Sequence, residues 1–193
     1  AVAAGKDPLD FRRQYLKEER LQRLIDKLEA VSGWKNRKEK GGSPAEASAK
    51  AGYGVAITEC FGTTVGQVVK VSRNTAGKVK IDQAWAVMDC GWYVNPDTIQ
   101  AQVEGSIVMA LGAATMHSIQ FEDGLAVQKN FYDYQMPRIA DIPPIEVHIM
   151  ENDADAGGVG EPGLPPFTPA LTNAIFDLTG QRIRKLPFDM TAL

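Results

Sequence analysis

The spacing of hydrophobic positions changes along this chain of 193 residues. In the first part, apolar residues recur three or four positions apart, which is the period of an amphipathic helix. They are Phe11, Tyr15, Leu21, Leu24, Ile25 and Leu28. Asp7-Pro8 supplies an N-cap and a first-turn proline, and Val31-Ser32-Gly33 follows the last periodic residue. The pattern predicts a helical hairpin or a bent helix.

From Gly52 the period becomes two, which is typical of β-strands. Three stretches follow closely, at Tyr53–Glu59, Thr64–Val71 and Lys78–Val87, and Asn74–Gly77 makes a hairpin connection. Strands this close together predict an antiparallel meander. Its β-branched residues are expected to form one core face, made of Val65, Val68, Val69, Val71, Val79 and Ile81.

Helical spacing returns after Asn95-Pro96, a cap followed by a first-turn proline. The predicted buried stripe of this helix contains Ile99, Val103, Ile107, Ala110, Leu111 and Ala114. Asp123-Gly124 predicts a second hairpin, between strands at 118–121 and 125–129, and alternation over 145–149 predicts a further strand.

A last helix is predicted to begin with Thr168 as its cap and Pro169 as its first residue, and to end at Gly180. Pro162, Pro165 and Pro166 are expected to prevent a helix from starting directly after the preceding glycines. Its predicted buried face consists of Ala170, Leu171, Ala174, Ile175 and Leu178.

The segment between the first helices and the first strand differs in composition. Lys35, Arg37, Lys38 and Lys40 flank Gly41-Gly42-Ser43-Pro44. This pattern favours a solvated linker, and a phosphate-binding patch is the alternative. The chain is therefore divided into a helical segment at 1–34, a linker at 35–51 and a C-terminal domain at 52–193.

Composition excludes several classes of function. The hydrophobic fraction of 44% and the charged fraction of 23% are ordinary for a globular protein. A net charge of −3 does not indicate the excess of basic residues that is typical of nucleic-acid-binding proteins. No secretory signal is visible, and no apolar run approaches the roughly 20 residues that span a bilayer. Cys60 and Cys90 are too few for a zinc or iron–sulfur site, and are expected as buried free thiols, with a mutual disulfide left open.

A glycine- and proline-rich stretch, Gly157–Pro166, contains one carboxylate, Glu161. Glycine lets the backbone approach another group closely, so Gly158 and Gly160 are candidate cofactor contacts. A carboxylate held away from water without a charged partner favours its protonated form, which suits a general base working near neutral pH. The alternative is a surface turn with a solvated glutamate.

Gln102 lies in the first turns of the helix that follows Asn95. Its amide donates and accepts hydrogen bonds, which suits a pterin edge, and small residues nearby allow a flat group to lie close. The alternative is a helix crossing with Gln102 in solvent. Tyr132 and Tyr134 are candidates for a substrate funnel or for the core. His117 and His148 are expected to be exposed and not to bind metal.

Two blocks of the sequence resemble the molybdenum hydroxylases, the superfamily of xanthine dehydrogenase and aldehyde oxidase. The first block runs from Val87-Met88-Asp89-Cys90-Gly91 through Asn95-Pro96 to Gln102-Val103-Glu104-Gly105. The second runs from Gly158-Val159-Gly160-Glu161-Pro162-Gly163 through Pro165–Ala170 to Thr179–Arg184. The resemblance is to the C-terminal part of the molybdopterin-binding large subunit of the isoquinoline 1-oxidoreductase type.

The resemblance implies an α+β molybdopterin-binding domain, with antiparallel strands and packed helices. It implies Glu161 as the active-site base and Gln102 against the pterin, with no metal ligand from this chain. The reaction would oxidise an N-heterocycle or an aldehyde with water-derived oxygen, using a molybdenum–molybdopterin cofactor in its cytosine dinucleotide form. The alternative function is a non-catalytic scaffold or assembly chain of the same fold.

The resemblance also implies partners, because the family's large subunits are several times longer than this chain. The expected partners are the upstream molybdopterin-binding chain, a small subunit with 2Fe-2S clusters, and a cytochrome or other electron acceptor. The chain is expected to be a separate small subunit or a C-terminal fragment. The periplasm or cell envelope is the favoured location, with the cytoplasm as the alternative.

Overall fold

The computed structural model describes residues 1–37 and 51–193. As predicted, a helical segment comes first, a meander of strands follows, and the rest of the chain contains both helices and strands. In chain order they are α1 (Pro8–Tyr15), α2 (Glu19–Ser32), β1 (Gly52–Cys60), β2 (Thr63–Arg73), β3 (Val79–Asp89), α3 (Pro96–Thr115), β4 (Phe121–Glu122), β5 (Leu125–Ala126), β6 (Ile145–Ile149) and α4 (Leu164–Thr179).

The main sheet has the strand order β1-β2-β3-β6. Its first three strands pair antiparallel, so the predicted meander is confirmed. The fourth strand, β6, pairs parallel to β3, which makes the sheet mixed. A parallel pair needs a long crossover, and α3 with the segment after it provides this connection. The predicted α+β class is confirmed.

Both faces of the sheet are buried, and the expectation of one core face for the β-branched residues is wrong. Val65 and Val69 pack with α3 and α4, whereas Val68, one position away, packs with α1 and α2. Successive side chains of a strand point to opposite faces, so a run of valines supplies both layers. The adjacent valines Val68 and Val69, which point to opposite faces of β2, are the sequence signal of this double burial.

β1 approaches α4 very closely. A Cβ atom built at Gly54 would lie 2.1 Å from the backbone oxygen of Ala170, and one built at Gly52 would lie 2.3 Å from that of Ala174. No side chain fits at either position, so these glycines set the distance between the strand and the helix.

The predicted N-terminal helical hairpin is confirmed as α1 and α2. The Asp7 carboxylate caps α1 by accepting hydrogen bonds from the backbone N–H groups of Leu9 and Asp10. It also accepts from the indole of Trp34 at 3.0 Å and pairs with Arg37 at 2.6 Å. Burial alone raises the pKa of Asp7, but the hydrogen bonds from Arg37 and Trp34 outweigh it and lower the pKa.

The helical segment shares an apolar cluster with the sheet. Leu24, Ile25 and Leu28 of α2 are fully buried against Val68 and Val87. The boundaries proposed at 34/35 and 51/52 stay a prediction. The basic linker falls largely outside the described residues, including Lys38 and Lys40. Of its other cations, Lys35 pairs with Glu29 at 3.1 Å.

α4 begins at Leu164, so the predicted start at Thr168 is wrong. Pro165 and Pro166 occupy the first turn, where helix N–H groups have no intrahelical acceptor and proline loses nothing. Pro169 lies inside the helix. The predicted end is confirmed, because Gly180 closes the helix in the left-handed conformation at φ 78°.

The second hairpin exists, but β4 and β5 are only two residues each. Tyr132, which follows it, is 83% exposed, so it is not a core residue. The two histidines are less exposed than expected: His148 is half-buried beside Glu146, and His117 stacks on Tyr134 with ring centroids 5.0 Å apart. Within residues 1–37 and 51–193, no helix is long and apolar enough to cross a membrane.

Candidate functional site

Residues 157–163 form a loop, here called the Glu161 loop, at one end of the main sheet. The β1–β2 turn, the end of β3 and the first turns of α3 meet there. The backbone N–H of Gly157 donates to Cys90 O at 2.8 Å, and that of Gly158 donates to Phe61 O at 2.8 Å. The loop is therefore attached to two strand ends through its own backbone.

Three side chains from two elements, β2 and α3, hold carbonyl oxygens of this loop. The donors and acceptors are Thr63 Oγ1 to Gly158 O at 2.7 Å, Gln102 Nε2 to Gly160 O at 3.4 Å, and Gln67 Nε2 to Gly163 O at 2.7 Å. All three acceptors belong to glycines, which leave room for a donor to approach the backbone. The loop is thus tied to the start of β2, the middle of β2 and α3.

The close approach requires glycine at two of the loop positions. A Cβ atom at Gly157 would lie 2.4 Å from Thr63 Oγ1 and 2.6 Å from Gly62 O. A Cβ atom at Gly158 would lie 2.9 Å from Phe61 Cβ in the β1–β2 turn. Larger residues at these positions would push the loop away from the sheet.

Glu161 projects from the exposed tip of the loop, while Pro162 and Gly163 behind it are buried. The expectation of a desolvated glutamate is therefore not met by this chain by itself. Its backbone oxygen accepts from Leu164 N at 2.9 Å, which joins the glutamate to the first residue of α4. Among the described residues, its carboxylate has no cationic partner within salt-bridge distance.

Gln102 Oε1 and the N–H groups at the tip of the loop lie near each other, and among the described residues none of them has a hydrogen-bond partner. Gln102 is exposed, and a Cβ at Gly160 would meet nothing closer than Gln102 Nε2 at 3.9 Å. Over residues 1–37 and 51–193, the N–H groups of Gly160 and Glu161 donate to no protein acceptor. An amide with both polarities and two backbone donors suits the edge of a pterin.

Cys60 ends β1 beside the loop. Burial and the negative charge of Glu161 raise the pKa of the Cys60 thiol. Burial also raises the pKa of Cys90, which is fully buried. Both cysteines are free thiols. Metal binding needs the thiolate, and the described residues contain no cluster of three or more His, Cys, Asp or Glu.

Asp89 anchors the other side of the site. Arg20 of α2 holds its carboxylate with two hydrogen bonds of 2.7 Å, and Asn152 donates to it at 2.8 Å. Burial alone raises the pKa of Asp89, but these hydrogen bonds and one from Gly91 N outweigh it and lower the pKa. The carboxylate therefore joins the N-terminal helices to the segment that leads into the Glu161 loop.

Replacement of Asp89 by asparagine should lower stability at neutral pH by about 2 kcal/mol, because hydrogen bonds to a charged group are lost. The folded-state pKa lies below the ordinary 3.8, so this contribution is complete above about pH 4 and is lost as pH falls through the folded-state pKa. Urea unfolding of both proteins between pH 7 and pH 3 measures the difference, which should shrink toward the acid end.

The control for this prediction is Asp123→Asn. Asp123 is exposed in the β4–β5 turn with a φ of 50°, a conformation that asparagine tolerates equally. Its unfolding midpoint should match the wild type throughout. A pH-independent loss of stability in Asp89→Asn would contradict the electrostatic account.

The structure brings together the four residues predicted for the site: Glu161, Gln102, Gly158 and Gly160. Their roles stay predictions. Tyr134 lies elsewhere, because it packs on His117, roughly 20 Å from Gln102 along α3. Sequence reasoning missed Thr63 and Gln67, although a glutamine inside the apolar run of β2 was an available signal.

Two concave regions differ in their relation to the loop. A groove of about 320 Å³ borders it, between the segment around Trp92 and Val94 and residues 156–159. A cavity of about 800 Å³ lies at the far end of α3 and β3, near Leu111, Ile81 and Phe188, and Glu161 does not line it. Glu161 does not line the groove either, and the groove reaches the loop through Gly157 and Val159.

The sequence matches a family described as the molybdopterin cofactor-binding domain over residues 27–143, a span that ends before the Glu161 loop. Isoquinoline 1-oxidoreductase subunit beta of Brevundimonas diminuta is 33% identical over 183 residues, covering 94% of this chain and 23% of that protein. The aldehyde oxidoreductase molybdenum-binding subunit of Escherichia coli (strain K12) is 36% identical over 141 residues, covering 68% of this chain and 19% of that subunit.

The fold is similar to that of a solved structure, the aldehyde oxidoreductase from Desulfovibrio gigas. The TM-score is 0.55 at 27% sequence identity, and the alignment covers 65% of this chain and 14% of that one. The chain thus spans less than a quarter of the length of each of these relatives.

Proposed function

The chain belongs to the molybdopterin cofactor-binding domain family, and from this premise we propose that it forms the C-terminal part of the molybdenum-binding subunit of a hydroxylase. Glu161 is the proton acceptor. The observation that carries the proposal is the single carboxylate of the Glu161 loop, fixed by three glycine carbonyl contacts and placed beside Gln102. A turn whose glutamate only faces solvent would not need its backbone to be held by these three hydrogen bonds.

The cofactor would lie against Gln102, Gly158 and Gly160. The Gln102 amide and the N–H groups at the tip of the loop would hold its pterin edge, in the cytosine dinucleotide form. Molybdenum–molybdopterin, when bound, supplies the two-electron oxidation and the activated water-derived oxygen. Glu161 takes up the proton that this chemistry releases, and covering of the loop by cofactor and companion chain removes its carboxylate from water.

The substrate class is an N-heterocycle or an aldehyde. The names of the two relatives, an isoquinoline oxidoreductase subunit and an aldehyde oxidoreductase subunit, support these two classes. Both substrates contain an electrophilic carbon that a base-activated oxygen attacks. The apolar groove around Trp92 and Val94 fits a flat, weakly polar molecule.

Companion chains would complete the active site and carry the electrons away. The proposed partners are the upstream molybdopterin-binding chain, a small subunit with 2Fe-2S clusters, and a cytochrome or other electron acceptor. Large apolar side chains on the segment after β5 support a covering chain, since Phe131 is 94% and Ile139 is 91% exposed. We place this complex in the periplasm or cell envelope, with the cytoplasm as the alternative, and cell fractionation with an antibody to the chain decides.

The metal content of the complex that co-purifies with this chain tests the proposal. About one molybdenum per chain, with iron in few-fold excess, is expected for a hydroxylase. The alternative function is a non-catalytic scaffold or assembly chain of the same fold. Absence of both metals from a stable complex would establish the alternative and remove the catalytic role of Glu161.

A further inference from the structure

Gln67 is a fully buried polar residue that does not belong to the proposed catalytic or cofactor-binding residues. It lies in the middle of β2, with no solvent exposure, on the face that packs against α3 and α4. Its register partners on the neighbouring strands are Ala56 and Ala86. These small residues leave room for the glutamine side chain to extend over the sheet toward the Glu161 loop.

The Gln67 amide is only half satisfied. Its Nε2 donates to Gly163 O at 2.7 Å, whereas its Oε1 is buried and has no donor among the described residues. The carbonyl acceptor fixes the orientation of the amide, because Oε1 cannot face another oxygen. A buried oxygen without a donor costs stability, and a methionine of similar shape would avoid that cost while leaving Gly163 O without this donor. Packing therefore does not explain the glutamine.

The hydrogen bond to Gly163 reaches Glu161 through the backbone. Gly163 is the cap of α4, and the next residue, Leu164, donates its N–H to Glu161 O at 2.9 Å. Pro165 and Pro166 follow, so the first turn of α4 has few N–H groups of its own to fix the loop. Gln67 thus provides a buried side-chain contact at the junction between the Glu161 loop and α4.

We propose that Gln67 is a positioning residue for Glu161, acting through Gly163 and Leu164 to hold the glutamate in its reactive place. This inference rests on the proposed function for its effect on turnover. Its effect on the loop does not depend on that function.

The test uses the complete complex carrying Gln67→Met, with Gln83→Met as the matched control. Gln83 is a half-buried glutamine of β3 whose amide donates to the neighbouring Ala84 O at 3.4 Å and does not contact the loop. In Gln67→Met we expect kcat to fall roughly 10- to 100-fold because the base is misplaced, with KM and molybdenum content unchanged. Gln83→Met should keep the wild-type kcat.

Hydrogen–deuterium exchange of the peptide containing Leu164 gives a readout that does not require turnover. Exchange at Leu164 should become roughly tenfold faster in Gln67→Met, whereas the midpoint of thermal unfolding should change little, because removal of the donorless Oε1 offsets the lost hydrogen bond to Gly163 O. Wild-type exchange together with wild-type kcat would overturn the proposal. A fall in kcat that simply follows a fall in the unfolding midpoint would also overturn it, because that pattern indicates a structural role.

Gln67→Glu provides an independent second variant. The protonated acid can donate to Gly163 O, whereas the carboxylate cannot, and burial raises the pKa of the introduced group. The ratio of variant kcat to wild-type kcat should therefore increase as pH is lowered. A ratio that does not change with pH would contradict the proposal. If the complex contains no molybdenum, the proposed function fails, while the exchange of Leu164 still decides the role of Gln67.

Discussion

Turnover of the complex should fall by about 100- to 10,000-fold when Glu161 is replaced by glutamine. Glutamine has the same shape but cannot accept the proton that water-derived oxygen must lose. The backbone contacts of the loop do not involve the carboxylate, so the fold and the molybdenum content should be preserved. Steady-state kinetics with an aldehyde and an N-heterocycle, together with metal analysis of the same samples, measure both effects.

The matched control is Glu122→Gln, which changes an exposed carboxylate on β4. It removes the same charge from the chain and should leave turnover at the wild-type level. Wild-type turnover in Glu161→Gln would contradict the assignment of Glu161 as the base. Loss of molybdenum along with turnover would assign Glu161 to cofactor retention instead of proton transfer.

Replacement of Gly54 by alanine should destabilise the protein by about 3 kcal/mol, because overpacking of a tight core forces the backbone to move. The added Cβ would lie 2.1 Å from Ala170 O and 2.2 Å from Ala174 N. Backbone atoms of α4 cannot rotate away as a flexible side chain would. Because α4 follows the Glu161 loop directly, the displaced helix should also lower activity. Urea unfolding and turnover of the variant measure the two losses.

Gly105→Ala is the control for stability. Gly105 lies within α3, is exposed, and has nothing within 4 Å of an added Cβ. Alanine there should stabilise the helix by about 0.5–1 kcal/mol. If both substitutions changed the free energy of unfolding by the same amount, β1 and α4 would not be packed as closely as described above.

The sequence by itself determined the elements whose signals are local. The periods of α2, β1, β2, β3 and α3 predicted those elements, and Asp7, Asn95 and Gly180 marked helix ends correctly, because caps act through their own neighbours. The loop with Glu161 and the helix with Gln102 were also readable, since glycine clusters and small helix residues are visible in sequence. The family resemblance, now confirmed, linked these two distant segments.

Only the tertiary structure decided what depends on packing between distant segments. It placed the valines of β2 on both faces of the sheet. Alternation along a strand shows which residues share a face, but only the packed helices show that both faces are buried. The tertiary structure started α4 at Leu164, since a first-turn proline does not reveal whether the helix begins before or after it. It also joined Gln67 to Gly163, residues 96 positions apart, through one buried hydrogen bond that no local pattern encodes.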